Sequence, residues 1–123
     1  MLTRKMPNDS TQLFYDNDKL ILTMEETELS EGHILMTLKG NMRSDTAHPF
    51  QDELNEFTTA GVPVTIDFKE VAFVAPSVLN ALLNVQQLVE QLHQGRIVLR
   101  NIPDAVYQEM DETGITELLM IEE

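Results

Sequence analysis

The stretch that most constrains the fold is Val64–Leu83, VTIDFKEVAFVAPSVLNALL. Val64, Ile66 and Phe68 alternate with Thr65 and Asp67, a period of two that predicts a strand with one apolar and one polar face. A short polar turn follows, and Val71–Val74 carries the chain back across the apolar layer. Ala75-Pro76-Ser77 then opens a helix, where Pro fits because the N–H it lacks has no partner in a first turn. Val78, Ala81, Leu82, Val85, Leu88, Val89 and Leu92 form one stripe at i, i+3, i+4 spacing. That stripe predicts a helix from Ser77 to about His93, packed on a sheet and capped by Gly95.

The flanking residues extend the same alternation of strand and helix. Residues 1–18 are polar and mixed in charge and are expected as a loose N-terminal arm, with 19–123 as a single domain. Lys19–Met24, continuing into the acidic Glu25–Glu28, predicts a strand. Ser30-Glu31-Gly32 is a turn signal, and His33–Lys39 predicts the second strand of a hairpin, ended by Gly40. Ser44, Asp45 and Thr46 each suit a helix N-cap. Ala47, Phe50, Leu54 and Phe57 then recur at helical spacing until Ala60-Gly61. After the central stretch come a strand at Arg96–Asn101, a short helix at Pro103–Gly114 and a last strand at Ile115–Ile121. Alternating strands and helices imply parallel pairing by right-handed crossovers. The strands still alternate polar and apolar residues, whereas a sheet covered on both faces would read as continuous apolar runs. The expected fold is α/β: a mixed, mostly parallel sheet with an N-terminal hairpin and helices mainly on one face.

Three segments carry a family resemblance. Asp67–Leu83, DFKEVAFVAPSVLNALL, resembles the STAS-domain signature, roughly D-L-S-x-V-x-F-I-D-S-S-G-L-x-x-L, of the anti-sigma factor antagonists and their relatives. Gly40–Ala47, GNMRSDTA, resembles the G-x-L-D-x-x-T-A entry to the first STAS helix; Gly40, Thr46 and Ala47 match, and Arg43 stands where Asp is usual. Pro103–Gly114 resembles the S-P-A-V-x-x-x-x-x-x-S-G element through Ala105, Val106 and Gly114. Together they span roughly Lys19–Ile121. The resemblance implies the STAS fold and, as function, bacterial cytoplasmic signal transduction and transcription regulation by protein–protein contact. In the antagonists a partner kinase phosphorylates the first Ser of D-S-S-G, and docking uses that loop and the helix after it. Here that position is Pro76 and the preceding Asp is Ala75. The resemblance therefore implies a partner-binding set of Val74, Ala75, Pro76, Ser77, Leu79, Asn80 and Leu83, with Arg43 and Ser44 from the neighbouring loop, and no phosphorylation at the family position. Many family members carry one more helix after the last strand, for which Glu122-Glu123 leaves no room.

Composition removes several other classes. The formal net charge is −13, against the clustered Lys and Arg that nucleic-acid backbones require. Such acidity keeps a protein soluble and steers it toward basic surfaces. There is no cysteine, so disulfide and thiolate chemistry are absent. No apolar run approaches a membrane span, and the N-terminus has no signal-peptide core. His33, His48 and His93 have no zinc-site spacing. Asp45, His48 and Asp52 read as a solvated first turn, and the acids of 104–117 lack calcium-loop spacing. With no G-x-S-x-G and no Gly-rich phosphate loop, neither enzyme activity nor a cofactor is expected.

Ser77 has two readings: a phosphoacceptor shifted by one residue, or a first-turn or N-cap serine worth about 1 kcal/mol. The helix that follows offers a surface. Leu79 and Leu83 fall outside its core stripe, Asn80, Asn84, Gln87 and Gln91 are uncharged, and interface cores are depleted of charge. The two leucines either dock a partner or pack under neighbouring helices. The function expected is an antagonist-like module docking on an anti-sigma factor kinase-like protein or another regulator. Two alternatives are a STAS subunit of a transport or signalling assembly, and a nucleotide or lipid site at Arg43–Thr46 and Ala75–Ser77.

Overall fold

The computed structural model describes residues 1–30 and 32–122. Among them seven strands lie side by side in chain order: β1 (Leu2–Asn8), β2 (Thr11–Asp16), β3 (Lys19–Glu28), β4 (Ile34–Met42), β5 (Pro63–Val74), β6 (Arg96–Arg100) and β7 (Met120–Glu122). Three helices, α1 (Ala47–Thr59), α2 (Pro76–Leu92) and α3 (Asp104–Glu112), make the successive crossovers from β4 to β7. Pairing is antiparallel from β1 to β4 and parallel from β4 to β7. Each crossover steps the sheet in the same direction, and right-handed connections then put all three helices on one face. Alternate strand residues such as Phe14, Leu22, Leu38, Ile66 and Leu99 are fully buried with Phe50 and Leu54 of α1 and Leu82 of α2. The α/β class, the hairpin and the one-sided helical layer agree with the expectation.

Residues 1–18 do not form a loose arm. They supply β1 and β2, with Phe14 opposite Leu22 and wholly buried. The alternation of Gln12 and Phe14 with Leu13 and Tyr15 is short and set among polar residues, and its pairing partner, β3, lies outside it. Glu31, in the expected turn, and Glu123, at the chain end, lie outside the described residues.

The central stretch is one strand rather than two steps joined by a turn. Its register against β4 shifts twice, between Thr37 and Lys39 and between Gly40 and Asn41, so one bulge falls within the polar Asp67–Glu70 stretch and a second at Ala72. Asp67 Oδ1 accepts the Lys69 N–H at 2.9 Å within the first of these. Nor does Gly40 end β4. It lies opposite Leu22 with φ 112°, and a Cβ there would stand 2.2 Å from the Ile21 carbonyl oxygen. The last expected strand is mostly replaced by a 3-10 turn, Ile115–Glu117, leaving β7 three residues long. The α2 stripe buries Val78, Ala81, Leu82 and Val85, but Leu92 is 41% exposed because the chain leaves the helix at His93, which is left-handed at φ 53°. Gly95 serves a close approach instead of a cap, its Cβ position lying 3.2 Å from Thr58 Cα.

One polar contact sits under the helical layer. Gln12, 5% exposed, donates through Nε2 to Glu53 Oε2 of α1 at 3.1 Å. Glu26 of β3 faces the same carboxylate, and its Oε2 is buried without a hydrogen-bond partner. Burial, followed by Glu53 and then Glu56, pushes the Glu26 carboxyl up to about 8.

Candidate functional site

Parallel pairing brings two loops together. Met42 ends β4 opposite Val74 at the end of β5, and the Ala75 N–H donates to the Met42 carbonyl at 2.8 Å. Arg43-Ser44 and Ala75-Pro76-Ser77 are therefore neighbours at the carboxyl ends of two adjacent strands, the end of an α/β sheet where sites usually form. Arg43 is held tightly there. Its Nη1 bonds Asp16 Oδ2 at 2.8 Å, and its Nε and Nη2 bond the Asp45 carboxylate at 3.2 and 2.5 Å. Asp16 also accepts from the Met1 amino group at 2.8 Å. That hydrogen bond and the one from Arg43 lower the Asp16 carboxyl to about 2. Ser44 is exposed, and Thr46 turns inward to donate to the Arg43 carbonyl at 2.7 Å.

The second loop is closed by burial on both sides of an exposed proline. Val74 and Ala75 are buried, and Ala75 is the extended N-cap of α2, with no side-chain cap bond. Pro76 is the first helical residue and faces solvent. Ser77 follows inside the helix and does not cap it; its Oγ is buried and unpartnered. Ser77 is thus a first-turn serine, as one of its two readings has it, but its hydroxyl satisfies no helix N–H.

Leu79 does not project as a docking side chain. It is 5% exposed and buried against the chain after α3. With half-buried Leu83 it forms one wall of a groove whose other wall is Thr113, Ile115 and Leu118, with Pro76 and Asn80 on the rim. Packing under a neighbouring element, the alternative for these two leucines, accounts for Leu79. Leu118 was missed because it was assigned to a strand. The available signal was the i, i+3 spacing of Ile115 and Leu118 just after Thr113-Gly114, which puts both on one side of a 3-10 turn.

Among the described residues no group of three His, Asp or Glu side chains is placed to hold a metal ion, and no helix is long and apolar enough to cross a membrane. A family model described as "Mlab, STAS domain" matches residues 26–122. No curated protein sequence matches the chain. Solved structures share the fold at low identity. The Bacillus cell fate determinant SpoIIAA in its phosphorylated form superposes with a TM-score of 0.63 at 12% identity, over 81% of this chain and 91% of that one. An anti-sigma factor antagonist from Mycobacterium paratuberculosis gives 0.66 at 17%, over 81% and 84%. The murine Slc26a9 anion transporter gives 0.57 at 16%, over 98% of this chain and 20% of that one. With the family model spanning most of the sequence, the chain belongs to the STAS domain family.

Proposed function

We propose that the chain is a non-enzymatic regulatory module that docks in the cytoplasm on an anti-sigma factor kinase-like protein or a related regulator. It does so through the β4 and β5 loop ends and the first turns of α2. The observation that carries this reading is the exposed Pro76, which the signature resemblance sets at the phosphoacceptor position, between buried Val74-Ala75 and the buried Ser77 hydroxyl. Phosphorylation at such a contact adds about −1.5 to −2 charges and expels a partner by repulsion and desolvation. Pro76 has no hydroxyl to modify. Contact is therefore constitutive with respect to that switch, or controlled by the state of the partner. Of the earlier set, Arg43, Ser44, Pro76, Asn80 and Leu83 are the contact residues; Val74, Ala75, Ser77 and Leu79 support them from inside.

A photocrosslinking residue at Asn80, introduced in the native host, tests the reading. An adduct with a kinase-like regulator supports it, and the native chain should then emerge unmodified from that kinase and ATP while Pro76→Ser becomes phosphorylated. Stoichiometric phosphate on Ser77 of the native chain would sink the locked switch. Adducts only with membrane-transport proteins would favour a second reading, a subunit of a transport assembly. That reading is supported by the likeness to a domain-sized part of the Slc26a9 anion transporter, which alone among these structures extends over nearly the whole chain.

A further inference from the structure

The groove between α2 and the 3-10 turn has the dimensions and the electrostatic setting of a peptide-anchor site. Its volume is about 180 Å³, below the ~300–1,000 Å³ of pockets that enclose a small-molecule ligand. It fits one bulky side chain. The floor is apolar, from Leu79, Leu83 and Ile115. Its lip, Leu118, is 60% exposed, the most exposed leucine among the described residues. A leucine that open beside an unfilled apolar groove is what a partner's anchor residue covers.

Charge decides what surrounds the anchor. Residues 70–95, which contain α2, and residues 101–122, which contain α3 and the 3-10 turn, hold no Lys or Arg. All eight basic residues of the chain fall outside these spans. The wall that carries Leu118 also carries Asp111, Glu112 and Glu117 within two turns. Arg43, on the adjacent loop, is already matched by Asp16 and Asp45. The negative potential around the groove is thus not offset by a cation on either of its walls, and a complementary partner surface must bring the positive charge.

Resting on the docking function proposed above, we infer that this groove receives a cationic segment of the partner protein, carrying Lys or Arg around a single large apolar anchor. The apolar side chain fills the space over Leu79, and the basic residues lie along the acidic edge of α3 and the turn. This assigns Leu118, Thr113 and Ile115 to recognition alongside Leu83 and Asn80.

Selection of a random displayed peptide library on the full chain tests it, because the library carries no bias of charge. Recovered peptides should be enriched in Lys and Arg around one Leu, Phe or Trp. A recovered peptide, synthesised and titrated into the ¹⁵N-labelled chain, should shift the amides of Leu83, Thr113 and Leu118. Affinity should fall roughly tenfold, about 1.4 kcal/mol, on Leu118→Ser or on replacing the peptide's anchor with Ser. It should also weaken as salt is raised. Acidic or neutral peptides at the same amides would overturn the cationic partner and leave docking at α2 standing. Basic peptides indifferent to both Ser substitutions would be general electrostatic binders and would overturn the groove. Selection that returns no groove-dependent peptide overturns the inference as well. The docking function itself fails separately, on an Asn80 photocrosslink that captures no regulator.

Discussion

Replacing Gly40 with Ala puts a methyl group where two backbones already touch. The new Cβ would stand 2.2 Å from the Ile21 carbonyl oxygen and 3.1 Å from its carbonyl carbon, and neither is the end of a flexible side chain. Relief requires β3 and β4 to part by roughly 1 Å, well beyond what a tightly packed interior absorbs freely. A non-glycine residue held at this positive φ costs about 1–3 kcal/mol. Overpacking adds about 1–3 kcal/mol, and a lost ladder hydrogen bond about 1 kcal/mol. The expected loss is about 3–7 kcal/mol, which in a domain of this size lowers Tm by roughly 10–30 °C. Gly114→Ala is the control. Its φ of 78° is also positive, but nothing lies within 4 Å of the Cβ position, so only the conformational cost of about 1–2 kcal/mol remains. Urea unfolding followed by circular dichroism, with calorimetry alongside, measures both. A Gly40→Ala loss no larger than that of Gly114→Ala would refute the backbone clash.

Leu82→Ala should destabilise by about 2–5 kcal/mol, because the side chain is fully buried. Leu92→Ala should stay within about 0.5 kcal/mol in the same urea titration, as an exposed position does. The raised Glu26 carboxyl makes the folded chain bind more protons than the unfolded chain between its ordinary value of 4.5 and about 8. The protonated contact is therefore fully favourable below the lower value, and stability falls as pH rises through the upper one. Glu26→Gln should flatten that decline and be more stable than the parent at pH above about 8; identical pH profiles would refute the buried proton. Arg43→Met should raise the Asp16 carboxyl from about 2 toward 3.8, read by carboxyl-carbon NMR. An unmoved Asp16 would assign its shift to the Met1 amino group alone.

The parallel half of the fold was legible because its signals are local and repeated. The period of two in Val64–Phe68 and the i, i+3, i+4 stripe of α2 each identify an element without reference to any other. β1 and β2 were not legible for the opposite reason. Leu13-Phe14-Tyr15 is a three-residue apolar run in a polar segment, too short to identify a strand until β3 is placed beside it. The bulges in β5 hid in the same way, since Asp67-Phe68-Lys69-Glu70 looks like a turn and becomes strand only against β4. In the candidate site, the two loops that the motif names, Arg43-Ser44 and Ala75-Pro76-Ser77, do lie side by side. The inward orientation of Leu79 was not legible, because the face outside a helix's core stripe is apolar both when it docks a partner and when a later element covers it. The covering element here is the 3-10 turn Ile115–Glu117 with Leu118 after it, a segment that alternates like a short strand.

The chain-order sheet has a consequence for synthesis on the ribosome. Each strand pairs with the strand made immediately before it, so a nascent chain always presents a finished edge to the next segment, and no strand has to insert between two that are already joined. The β1–β4 meander has short connections, so its contacts form at low loop-closure cost before any crossover helix has emerged. Each later βα unit then extends an existing template. The order of growth runs from the hairpin strands toward β7, and the α2 groove is completed only when the turn after α3 closes over Leu79, so the groove itself exists only once that turn has been made.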